Sequence, residues 1–257
     1  MGNSYLRKAS LMATLLAVEA ICHPAFAAGQ SEVFDRTFPL SAGATFSLTN
    51  VNGSVAVQGW DRDAVEIRAV KTAKQSASDL ALVRIDAESE PGRVSVSTIY
   101  PQGDDVEVSV DYTIHIPRRI LLEQLATVNG PVHVSGIVGQ GELRSVNGDI
   151  DVASSEGGFS AHTTNGDIHV ELLRLASPGA LSLETVNGSI TLALPRDAAA
   201  TLDARSLNGN FHSDLPVALL SAYSPRGIHG RLRGGGTPIE LRTVNGAIRI
   251  AALTQGI

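Results

Sequence analysis

An Asn-Gly dipeptide returns seven times along these 257 residues, each time in the same local company. The pairs are Asn52-Gly53, Asn129-Gly130, Asn147-Gly148, Asn165-Gly166, Asn187-Gly188, Asn208-Gly209 and Asn245-Gly246. Successive intervals are 77, 18, 18, 22, 21 and 37 residues. A unit of about 20 residues marks a stacked repeat, in which each unit buries its apolar face only against its neighbours. The two long intervals then correspond to about four units and about two.

The unit has a regular grammar. Two residues past each Gly stands Val55, Val132, Ile150, Ile168, Ile190, Phe211 or Ile248; four past it stands Val57, Val134, Val152, Val170, Leu192, Ser213 or Ile250. Four residues before each Asn stands Leu48, Leu125, Leu143, Ala161, Leu183, Ala204 or Leu241, and two before it Asn50, Thr127, Ser145, Thr163, Thr185, Ser206 or Thr243. Alternation rich in β-branched residues is strand periodicity, one face in and one face out. Residues two and four after each Gly are therefore expected to be buried and to stack between units, because a one-residue slip would expose the whole set.

Asn-Gly between alternating apolar runs is also the strongest short hairpin signal, since both residues tolerate positive φ. A sandwich of seven hairpins is thus the competing architecture. Fixed apolar offsets on both sides of the corner favour ladders of like side chains. A coil of 18 residues at about 3.3 Å each is roughly 60 Å around, enough for a flattened rung. The expected fold is all-β: a β-solenoid, a single-stranded β-helix-like stack with atypical, irregular N-terminal rungs.

Residues 1–27 read as a cleaved signal peptide. Arg7 and Lys8 precede an apolar stretch from Leu11 to Ile21, and Ala25-Phe26-Ala27 supplies an A-x-A cleavage site. The one cysteine, Cys22, falls inside it, which leaves residues 28–257 with no disulfide framework and no Cys-based metal site. No later segment is long and apolar enough for a transmembrane anchor. Net charge is −6 with no basic run, which disfavours a nucleic-acid partner. The expected location is the periplasm, the cell surface or the extracellular space.

Residues 28–257 are expected to form one β-repeat domain. The segment 31–125 lacks the rhythm after the first Asn-Gly, yet Ala64–Lys71, Leu82–Glu88, Val94–Tyr100 and Val106–Ile116 read as strands, with a turn at Glu90-Pro91-Gly92-Arg93. The segment 126–257 carries the tight repeat. Ser221 to Pro238 reads as a unit whose corner has lost Asn-Gly, followed by a glycine turn at Gly234-Gly235-Gly236.

In TNVNGSVAVQGWDRD (residues 49–63), VDYTIHIP (110–117), the TVNG and SVNG repeats, SDLP (213–216) and IELRTVNGAIRI (239–250), the chain resembles a bacterial family of putative adhesins, a β-strand-repeat domain family of unknown function. The resemblance implies an exported, single-domain, solenoid-like protein. It implies little about activity, because fold alone does not define function.

Chemistry is sparse. The histidines past the signal show no metal-ligand spacing, and His133 and His169 fall at solvent-facing places. No nucleophile elbow, phosphate loop or dinucleotide fingerprint is present, and no cofactor is implied. Asp149 and Asp167 occupy equivalent places in adjacent units, so stacking brings two carboxylates within about 4.8 Å. A Ca²⁺ site, a carboxylate pair for glycoside chemistry and a solvated acidic edge are the three readings. Two function classes follow. One is an exported non-catalytic scaffold, an adhesin or envelope binding protein contacting a protein or glycan partner. The alternative is a polysaccharide-active β-helix lyase or hydrolase using Asp149, Asp151, Asp167 and Arg144.

Overall fold

A computed structural model describes residues 30–101, 106–175, 179–220 and 227–253. The expected signal with Cys22 lies outside the described residues, as do 102–105 of the polar loop and 221–226 of the expected degenerate unit. The chain forms β1 (Gln30–Pro39), β2 (Thr45–Thr49), β3 (Val55–Trp60), β4 (Ala64–Ala73), α1 (Ser78–Leu82), β5 (Arg84–Glu90), β6 (Arg93–Ile99), β7 (Val108–Pro117), β8 (Arg119–Ala126), β9 (Val132–Ser135) and β10 (Val138–Arg144). There follow β11 (Ile150–Asn165), β12 (Ile168–Leu175), β13 (Leu181–Asn187), β14 (Ile190–Leu194), β15 (Ala200–Asn208), β16 (Phe211–Ser213), β17 (Ala218–Leu219), β18 (Gly227–Leu232), β19 (Thr237–Asn245) and β20 (Ile248–Ala252). The protein is all-β.

Strands that lead into the corners make one parallel ladder, in the order β6, β2, β8, β10, β11, β13, β19, β15. Strands that leave the corners make a second, in the order β7, β3, β9, β11, β12, β14, β20, β16. β11 is long enough to serve both, its first residues in the second ladder and its last in the first. The strands flanking a corner pair with neighbouring units rather than with each other, so the Asn-Gly pairs do not close hairpins.

The ladder registers explain the sequence grammar. Val132 faces both Val55 and Ile150, Ile168 faces Ile150 and Ile190, and Ile190 faces Ile248. All six of these side chains are fully buried, as are Val57, Val134, Val152, Val170, Leu192 and Ile250 two places on. Leu48, Leu125, Leu143, Ala161, Leu183, Leu241 and Ala204 line the opposite wall. Each such Val, Leu or Ile contributes roughly 1.5–3 kcal/mol of burial energy, which fixes the register because the alternate residues are polar. Phe211 and Ser213, on the three-residue β16, are only half-buried.

The stacking order is one that the local pattern does not specify, and three expectations are corrected. The last two Asn-Gly units stack out of chain order: β19 and β20 insert between β13–β14 and β15–β16. The 77-residue interval does not hold four stacked units. It supplies one further rung, β6 with β7, and antiparallel strands: β5 on β6, β4 on β7 and β1 on β4. Among its described residues the 37-residue interval holds no additional rung; β18 runs antiparallel to β15, and β17 antiparallel to β18. Leu82, expected to open a strand, ends α1 instead. That turn is held by the buried Lys71, whose Nζ donates to the carbonyls of Leu80 (2.9 Å) and Val83 (3.1 Å) and pairs with Glu32 at 2.8 Å. The Pro91-Gly92 turn does join β5 to β6 as a hairpin, with Gly92 at φ 76°.

Candidate functional site

The recurring polar residues meet along the corners of the stack. Every corner Asn amide except that of Asn52 donates from Nδ2 to Oδ1 of the Asn one rung away: Asn129 to Asn52, Asn147 to Asn129, Asn165 to Asn147, Asn187 to Asn165, Asn245 to Asn187 and Asn208 to Asn245, at 2.8–2.9 Å. This is an exposed amide ladder, formed because identical side chains stand one strand spacing apart in parallel register.

Beneath it runs a buried ladder of hydroxyls. Thr127, Ser145, Thr163, Thr185, Thr243 and Ser206 donate to the carbonyls of Gly53, Gly130, Gly148, Gly166, Gly188 and Gly246, at 2.8–3.2 Å. In the first unit Asn50 Nδ2 does the same to Val110 O at 2.9 Å. These hydroxyls therefore satisfy the one carbonyl that the turn withdraws from the strand pattern, which is the usual condition for burying such groups.

The glycines are required for a reason other than the expected one. Positive φ occurs at Gly53 (119°) and Gly130 (156°); Gly148, Gly166, Gly188, Gly209 and Gly246 do not adopt it. At all seven, a Cβ would overlap a backbone carbonyl oxygen on the neighbouring rung, from Val110 O above Gly53 to Gly246 O above Gly209. The corner lacks side chains so that successive backbones can touch. An Asn-Gly hairpin signal and an Asn-Gly stacking corner look the same in sequence.

The acidic candidates are absorbed by the same logic. Asp149 Oδ1 accepts the backbone N–H of Asp167 at 2.8 Å, and Asp167 Oδ1 accepts that of Ser189 at 2.7 Å. Asp111 does the same for Ser54, taking its N–H at 2.8 Å and its hydroxyl at 2.7 Å. Each stacked carboxylate thus caps a backbone N–H of the next rung. Asp151 pairs with His133 Nδ1 at 3.0 Å and lies beside His169 in register. Arg144 belongs to the other ladder and is held by Glu142 in its own strand. Among the described residues, no three His, Cys, Asp or Glu side chains are grouped to hold a metal ion.

One column escaped the sequence reading. The residue just before six of the seven corner Asn side chains is exposed, giving Val128, Val146, Val186, Val244 and Leu207 in stack order, with Thr164 between the second and third, while Val51 before Asn52 is half-buried. The signal was present in the recurring V-N-G triplets, where an apolar residue sits on the polar parity of the strand. At the far end, His212 and Arg249 both bond Asp214, at 2.8 and 3.0 Å. The Arg249 hydrogen bond, then that of His212, holds the Asp214 carboxyl below the usual carboxylate range.

Residues 44–251 match the family model Toastrack DUF4097. The chain belongs to the Toastrack DUF4097 family. The function of that family is unknown. The matched span takes in both parallel ladders and begins after β1. Among solved structures, the chain is similar to a putative cell adhesion protein from Clostridium sporogenes, with 11% identity over 86% of this chain and 100% of that one and a TM-score of 0.43. It is similar at the same identity and TM-score to a putative adhesin from Bacteroides fragilis, over 86% of this chain and 97% of that one. A putative lipid binding protein from Parabacteroides distasonis is 8% identical over 88% and 98%, with a TM-score of 0.23. No curated protein matches the chain. Among the described residues no helix is long and apolar enough to cross a membrane.

Proposed function

We propose that this Toastrack protein is an exported, non-catalytic β-solenoid scaffold of one domain, residues 28–257, that acts in the cell envelope or at the cell surface by contact with a protein or glycan. The observation that carries this reading is how the repeated polar groups are used. Asn amides, Ser and Thr hydroxyls and the Asp149 and Asp167 carboxylates each serve a rung-to-rung hydrogen bond. What repeats without an internal partner is the outward column Val128, Val146, Val186, Val244 and Leu207, an apolar stripe at about 4.8 Å per rung along the stack, broken once by Thr164. Regular exposure of large aliphatics on a rigid frame suits recognition by surface. The signal-like segment of residues 1–27 supports export.

The test has two arms. Purified protein and a Val146→Asp/Val186→Asp variant are applied to glycan arrays and to solubilised envelope fractions. The expected result is capture of a defined ligand by the wild type and at least tenfold weaker capture by the variant. In parallel, cell-wall and exopolysaccharide substrates are assayed with wild type, Asp149→Ala and Asp167→Ala. Turnover by the wild type that either variant loses would overturn the non-catalytic reading.

A further inference from the structure

We propose that the edge of β1 is the interface of a two-fold homodimer, in which β1 of one copy pairs antiparallel with β1 of the other about Phe34. The stack ends in two long edge strands at its N-terminal end. Among the described residues, β1 has one strand neighbour, β4, along its whole length, and β5 has one, β6. A free edge offers unpaired N–H and C=O groups to another chain, and natural edges usually carry devices against that.

β5 carries such a device. Its residues Arg84, Asp86, Glu88 and Glu90 share one face, so every two-fold antiparallel pairing that uses most of the strand, centred on Asp86, Ala87 or Glu88, sets carboxylates against carboxylates. β1 is different. It is ten residues long, exposed along most of both faces, and presents Val33 at 51% exposure. Phe34 and Phe38 point inward but are only half-covered by the core. The apolar content of this edge is left incomplete by its own chain.

The register follows from backbone geometry. Alternate residues of β1 direct their N–H and C=O groups away from β4, and a second copy does the same with the same residues. Pairing between the copies must therefore centre on a residue. Centring on Asp35 sets Asp35 against its own image, which is repulsive. Centring on Val33 opposes Glu32 with Phe34. Centring on Phe34 opposes Glu32 with Arg36 twice, Phe34 with Phe34, Val33 with Asp35 and Ser31 with Thr37, and uses nearly the whole strand from Gln30 to Phe38. That register alone matches charge with charge and aromatic with aromatic. The groups are placed for it: Glu32 spends one oxygen on Lys71, and the Arg36 guanidinium already lies over the Phe34 ring, 5.2 Å from its centroid.

The experiment is sedimentation velocity on the purified protein from sub-micromolar to about 100 µM, with circular dichroism as a folding control. The wild type is expected at twice the mass of the chain. Arg36→Glu gives an edge with two carboxylates and Glu32→Arg one with two guanidiniums; each alone is expected to shift the dimer constant at least tenfold toward monomer. Mixed one to one, the two variants are expected to form a heterodimer of wild-type affinity, because each supplies the charge that the other lacks. A second variant, Val33→Glu, tests the edge without touching Glu32, Arg36 or Lys71 and is expected to be monomeric. A wild type that stays monomeric throughout, a dimer indifferent to these substitutions, or folded charge variants that do not associate on mixing would overturn the proposal.

Discussion

A glycine that permits close backbone approach and a glycine that supplies positive φ are destabilised differently by the same methyl group. At Gly166 a Cβ would overlap Gly148 O, a backbone atom with no rotamer to yield, so Gly166→Ala must push neighbouring rungs apart. At Gly43, φ is 84° and nothing lies within 4 Å of the added atom, so Gly43→Ala strains only its own dihedrals. The expected costs are more than 3 kcal/mol at Gly166 and about 1 kcal/mol at Gly43, since strain at one residue is worth of order 1 kcal/mol while displaced packing costs more. Asn165→Ala removes two exposed ladder bonds, to Asn147 and from Asn187, whose groups turn to water; about 1–2 kcal/mol is expected. Urea denaturation of the three variants checks the ranking. Equal losses at Gly43 and Gly166 would mean that the corners are conformational after all. The sequence shows that Gly recurs, but not which of its two properties is used, because that depends on what lies a rung away.

Strand alternation was legible wherever one face is buried, and this is why the corners, the inward columns and most strand spans can be read directly from residues. The helix at Ser78–Leu82 was not, because its one turn is fixed by Lys71 reaching from β4. The β6–β7 rung was also hidden, since Asn-Gly is missing from it and Val110 O takes the place of a corner glycine carbonyl. This rung has its own device: Tyr112 on β7 and Thr98 on β6 share a hydrogen bond of 2.7 Å across the core. Burial pushes the Tyr112 phenol up to about 12. The unfolded chain releases that proton near its ordinary value of 10.0, and the folded chain holds it. The associated stability is therefore complete below about pH 10 and is lost as pH rises toward 12, a change of about 2–3 kcal/mol. Urea midpoints between pH 8 and 11.5 should fall across that window in the wild type. Tyr112→Phe should lose about 1 kcal/mol at neutral pH, with Thr98 left unpaired, and show a shallower alkaline fall. Parallel pH profiles would remove Tyr112 from the account.

At the scale of the whole molecule, the stacking order is what local sequence cannot encode. Every unit carries the same offsets, so the rung at Asn208 would fit directly on the rung at Asn187 as well as it fits on the rung at Asn245. What separates the alternatives is connection: β18 turns back antiparallel on β15, with β17 antiparallel on β18 beyond it, covering the outer edge of β15 and leaving its inner edge for β19. The C-terminal rung is thereby enclosed between two earlier ones, and the order can be tested by covalent trapping. Glu184 faces Arg242 in register, and Arg242 faces Arg205, all three exposed on the outer face. Neighbouring parallel strands stand about 4.8 Å apart, within reach of a disulfide, while strands two places apart are about 9.6 Å distant and out of reach. In a Cys22→Ser background, the pair Glu184→Cys/Arg242→Cys is expected to oxidise readily. Its loop of 58 intervening steps in sequence should add up to about 4 kcal/mol of stability. Glu184→Cys/Arg205→Cys is expected to stay reduced in the folded protein. The opposite outcome, cross-linking of 184 with 205 and none with 242, would place the units in simple chain order and return the 37-residue interval to the open question that the sequence leaves.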